Sequence, residues 1–124
     1  MSELPLLVIA LLLVGSVLTG LLAYAFWRDP VEGMAQATHH AEKLPLVMID
    51  RYIAVAVIQF GLIFFGSLPM VAVFCVAGAI MGLGDGLIYS RAGLPHMKHT
   101  SSGLLAVFAF AVVLFYMFRG SAAV

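Results

Sequence analysis

Charge is scarce in this chain. Charged residues make up 10% of its 124 positions, where soluble domains carry about a quarter. Hydrophobic residues reach 64%, and the mean hydropathy is +1.14. A small soluble domain has too little interior to hide so much apolar side chain. A water-facing globule is therefore excluded, and the surplus must face lipid. The length supports one domain. Neither sign of charge dominates: six Lys and Arg balance six Asp and Glu. That removes the basic footprint nucleic-acid binding needs. Cysteine is limited to Cys75, so there is no disulfide framework and no zinc-ligand spacing. Cys75 reads as a small buried hydrophobe. A Gly-rich phosphate loop, a nucleophile elbow and a haem-attachment motif are missing as well. No residue pattern names a reaction, and no internal repeat or low-complexity stretch stands out.

What is present is a set of long apolar runs. A crossing of the hydrocarbon core takes about 20 residues. Leu4 to Trp27 provides that without one charge and ends on Tyr24 and Trp27, residues suited to an aromatic belt. Ala23-Tyr24-Ala25 imitates a leader cleavage site, but Met1-Ser2-Glu3 carries no basic residue and the run is too long for a leader. A retained first span over about 4–27 is expected. A second, over about 45–66, opens at Pro45. The turn Gly66-Ser67-Leu68-Pro69 leads to a third over about 70–89. Arg91-Ala92-Gly93 ends that span, with Gly93 suited to the position just past a helix. A fourth follows over about 95–118. Barrel strands are far shorter than these runs. The expected fold is all-α, an integral membrane four-helix up-down bundle, since only helices or closed barrels satisfy the backbone in lipid.

Between the first two spans, Asp29, Pro30 and Glu32 fit the N-cap, first and third positions of a helix. Val31, Met34, Ala35, Thr38 and Ala41 form an apolar stripe opposite Glu32, Gln36, His39 and Lys43. A short amphipathic helix over about 30–43, lying in the interface, is expected. With four spans, the 28–43 and 90–99 loops share a side that holds Arg28, Lys43, Arg51, Arg91 and Lys98. Arg119 alone lies on the other. The positive-inside rule places those loops in the cytoplasm and both termini outside. A bacterial inner membrane is the expected setting. His39, His40, His96 and His99 all fall on the basic side.

Several residues in the spans bear on function. Gly78, Gly82 and Gly86 make a small-residue ridge that lets helix backbones approach closely. Asp85 and Tyr89 lie near that face. Arg51 and Asp85 are each six residues inside a span end, a depth of roughly 9 Å at 1.5 Å per residue. Equal depth predicts an Arg51–Asp85 pair across consecutive helices. The preferred reading is that the pair fixes helix register. A sharper one makes it the polar floor beneath an amphiphile, and a proton relay comes third. Asp50 points about 100° away from Arg51. His96 and His99 share a face with Ser102, Gly103 and Ala106, and His99 can reach Asp85 or Tyr89. Three-residue spacing alone is weak evidence for a metal, and none is expected. His39 and His40 are adjacent, splay apart, and read as solvated. Gln59 reads as a bond between helices, and Ser16, Gly20 and Tyr24 as a packing stripe.

The order of these features resembles the DoxX-like group of small four-helix membrane proteins. The matching elements are the first span, Asp29-Pro30, Arg51 at the start of a span closing on a Gly-Pro turn, Gly84-Asp85-Gly86, and His99 before the last span. They cover about residues 20–118. The resemblance implies a four-span fold and, from the few members linked to quinol oxidases or small complex subunits, an accessory role. It transfers no catalytic residue. The expected function is an accessory, assembly or scaffold protein, self-associating through the glycine ridge or joining a larger membrane complex. The alternative is a binder or intramembrane enzyme for a lipid, quinone or isoprenoid. There Arg51, Asp85, Tyr89 and His99 would hold the ligand, with Asp85 and His99 as catalytic candidates. No resident cofactor is expected, although a bound lipid or quinone fits that alternative. A proton-coupled carrier ranks last, because four helices leave little room for alternating access.

Overall fold

The computed structural model describes residues 6–37 and 40–121. Every regular element among them is helical: α1 Leu6–Arg28, α2 Pro30–Gln36, a 3-10 turn Ala41–Lys43, α3 Leu44–Phe65, α4 Leu68–Arg91 and α5 Met97–Ser121. Three stretches, Ala41–Phe65, Leu68–Arg91 and Met97–Arg119, are long and apolar enough to cross a membrane. The fourth crossing, expected over 4–27, falls on α1 and stays a proposal.

Packing within the chain is sparse. Among the described residues the buried apolar side chains are Ala72, Cys75 and Val113, and no large side chain is fully buried. Phe65 is 86% exposed and Trp27 80%. Each such side chain would forgo about 1.5–3 kcal/mol of burial in water. In hydrocarbon that penalty vanishes.

The chain divides into two units, Met1–Ile53 and Ala54–Val124, with the boundary inside α3. In the first unit Asp29 ends one helix and starts the next. Its N–H donates to Ala25 O at 3.0 Å. Its Oδ1 accepts the amides of Val31 and Glu32 at 3.0 and 3.1 Å, satisfying two of the donors a helix start leaves free. Glu32 does not close the reciprocal capping box; its Oε1 accepts from Gln36 Nε2 at 3.1 Å. Gly33 is buried, and a Cβ there would lie 2.8 Å from Phe26 Cα. The missing side chain lets α2 fold back onto the last turns of α1.

The helix expected over 30–43 is shorter. It stops at Gln36, where Ala37 caps it and its N–H donates to Gly33 O at 3.0 Å. Thr38 and His39, both on the expected stripes, lie outside the described residues. The chain resumes in the 3-10 turn, where Lys43 N–H meets His40 O at 2.9 Å, and enters α3. Pro45 sits in the first turn of α3, where its missing N–H costs nothing.

In the second unit α4 and α5 form an antiparallel hairpin along the glycine ridge. A Cβ on Gly82 would lie 2.5 Å from Gly103 N. One on Gly86 would lie 2.5 Å from Thr100 Oγ1, and one on Gly78 would lie 3.4 Å from Ala106 Cβ. Positions 78, 82 and 86 thus face 106, 103 and 100, in opposite chain directions. The ridge is covered by the chain's own α5, so the self-association expected through these glycines does not find them free. α4 ends as its sequence predicts. Gly93 has φ +68, its N–H donates to Ser90 O at 3.1 Å, and Leu94 N–H reaches Tyr89 O at 2.9 Å. This paired closure satisfies the last carbonyls and needs the left-handed conformation glycine adopts freely.

Candidate functional site

The ridge sets the register of the hairpin, and the register decides which polar groups meet. Asp85 and Tyr89 stand one turn apart on α4, beside Gly82 and Gly86. From α5, His99 comes opposite them. Its Nδ1 lies 3.8 Å from Asp85 Oδ2, within ion-pair reach once the imidazole is protonated and too long for a hydrogen bond. The Tyr89 ring packs on the imidazole, with centroids 4.7 Å apart and planes inclined by 33°. Ser102 Oγ donates to His99 O at 2.8 Å, within the same turn of α5. One imidazole thus bridges a carboxylate and a phenol.

The cluster opens sideways. The Asp85 side chain is 51% exposed and that of His99 31%. A carboxylate facing lipid costs about 2.5–3.5 kcal/mol at the bilayer centre and less toward a span end, so a lipid-facing edge here calls for cover. Its chemistry suits accepting hydrogen bonds or a cation at Asp85, relaying a proton through His99, and donating from the Tyr89 hydroxyl.

Other expected residues are placed differently. His96 does not join the cluster: its Nδ1 shares a 3.1 Å hydrogen bond with Thr100 Oγ1. Among the described residues no three His, Cys, Asp or Glu side chains gather to hold a metal ion. Arg51 is exposed on α3 in the first unit, and Asp85 belongs to the second. Their pairing stays a proposal drawn from depth. Gln59 is exposed and has no hydrogen-bond partner among the described residues, so the bond expected of it is not made within them.

Two apolar grooves mark the second unit. One, of about 440 Å³, runs along α4 and α5 past Val76, Ile80, Gly84 and Leu87. The other, of about 490 Å³, lies between Ile58 and Leu62 of α3 and Met70, Val73 and Phe74 of α4. Neither includes Asp85, Tyr89 or His99. The first groove has a signal in the sequence: Ile80, Gly84 and Leu87 recur at helical spacing and so share a face.

Fold and site together define a class: an all-helical chain with three segments long and apolar enough to cross a membrane, whose α4–α5 hairpin carries a laterally open acid–imidazole–phenol cluster. No protein-family model, no curated protein and no solved structure matches the chain.

Proposed function

We propose that this chain is a small integral membrane protein of accessory, assembly or scaffold type. In this reading α1 makes a fourth crossing, both termini are extracytoplasmic, the setting is a bacterial inner membrane, and the chain is DoxX-like. The half-exposed Asp85 carboxylate, the one charge in the Leu68–Ile88 stretch of α4, carries the proposal. An ionisable group in a span seeks a partner, and His99 at 3.8 Å covers it in part. Gln59 adds a second uncovered polar group on α3. A partner helix, from another protein or a second copy, satisfies the carboxylate. Purification in mild detergent followed by native mass spectrometry tests this. The wild type should carry a polypeptide partner that Asp85→Leu sheds. A monomer without a partner, unchanged by that substitution, overturns it.

A second reading is favoured by the convergence of Asp85, Tyr89 and His99, three of the four residues expected to bind a ligand. The head of a lipid, quinone or isoprenoid would rest there, with Arg51 as countercharge. It ranks second because the two grooves do not extend to Asp85. The same spectra separate the readings: a retained small molecule lost with Asp85→Leu supports this one.

A further inference from the structure

We infer that the face of the hairpin carrying the Val76–Leu87 groove is a binding site for an anionic phospholipid, with one acyl chain in the groove and the phosphate at Arg91. Four observations lead there. The groove holds about 440 Å³ and is lined by apolar side chains from α4 together with Val107 and Phe110 of α5. That volume lies within the roughly 300–1,000 Å³ of small-molecule sites. Val76 to Leu87 spans about 16 Å of helix, close to the depth of one leaflet of a core about 30 Å thick.

Gly84 deepens the groove without serving the hairpin. A Cβ on it would meet nothing within 4 Å, whereas one on Gly82 would strike the backbone of α5. Glycine weakens a helix interior, so an open glycine facing a groove points to an occupant rather than to α5.

Charge at the groove's end selects the occupant. Ile80, Gly84, Leu87 and Arg91 follow one another at spacings of four, three and four, so Arg91 continues the groove face one turn beyond Leu87. Arg91 is exposed and ends α4. Lys98 adds positive charge at the same end of the hairpin, in the first turn of α5. The only acidic residue in 54–124 is Asp85; its imidazole partner lies across the ridge, away from the groove lining. An apolar channel one leaflet long that ends at a guanidinium with no ion-pair partner among the described residues complements a lipid with a negative head and does not select a zwitterionic one. This site is separate from the Asp85 cluster and stands whether or not that cluster binds a partner.

The test uses the full chain in nanodiscs containing equal amounts of phosphatidylglycerol and phosphatidylcholine with identical acyl chains, followed by native mass spectrometry. The wild type should retain phosphatidylglycerol over phosphatidylcholine by about fivefold, the contribution of one basic side chain at an anionic surface. Arg91→Gln should abolish the preference. Arg119→Gln, at the far end of α5 where the guanidinium sits 5.3 Å from the Phe115 ring centroid, should leave it intact. Gly84→Leu should lower retention of both lipids, with helix content unchanged by circular dichroism; Ile80→Phe fills the same groove and should act alike. A preference that survives Arg91→Gln overturns the inference. So does retention that survives both groove-filling variants, or a lipid-free dimer that those variants break.

Discussion

Gly82 and Gly84 are two residues apart on one helix and do opposite things. At Gly82 a side chain would strike the backbone of α5, at 2.5 Å from Gly103 N. At Gly84 it would meet open space. The first glycine is spent on closing the hairpin and the second on keeping a surface concave. In a membrane segment both look alike in sequence, because small residues serve close helix approach and ligand access equally well. The environment of each Cβ separates them.

Gly82→Leu should be the most damaging change. Overfilling a packed contact costs about 1–3 kcal/mol and occasionally more, and here backbone rather than a flexible side chain must move. Loss of about 3 kcal/mol should appear as earlier unfolding in a denaturing-detergent titration followed by circular dichroism. An unchanged midpoint would sink the assigned hairpin register. Gly93→Ala comes next. Its φ of +68 costs an L residue roughly 1–2 kcal/mol, so the same titration should show a smaller shift, and hydrogen exchange should quicken at Gly93 and Leu94. Gly84→Ala should have the smallest effect and the opposite sign, a gain of up to about 1 kcal/mol from helix propensity. If Gly82→Ala and Gly84→Ala shift the midpoint alike, the distinction between the two glycines is gone.

Local features were legible in the sequence where the signal is local. Asp29 and Pro30 start α2 because a capping carboxylate and a fixed φ act within one turn. Gly93 ends α4 for a similarly short-range reason. The ridge was legible from its four-residue spacing, while its partners Gly103 and Thr100 depend on the pairing of two helices. α2 ends at Gln36, short of the expected 30–43: the apolar stripe continues in the sequence past Ala37, but Ala37 caps the helix. Depth counting linked Asp85 to Arg51, using distance along each helix and nothing about rotation around it. The hairpin register, which follows from Gly78, Gly82 and Gly86, brings His99 to Asp85, a contact the sequence also allowed; the pairing with Arg51, in the other unit, stays a proposal. Shared spacing put His96 and His99 on one face without saying what either touches: His96 shares a hydrogen bond with Thr100, one turn on, while His99 meets Asp85 and Tyr89.

The Asp85 carboxylate meets the His99 imidazole at the edge of the hairpin. Solid-state NMR on the chain in lipid bilayers, with ¹³C at the Asp85 carboxyl and ¹⁵N at His99 Nδ1, measures that contact directly. A dipolar coupling consistent with an Nδ1–Oδ2 separation of 3.8 Å is the predicted result. The absence of measurable coupling between the two would contradict it.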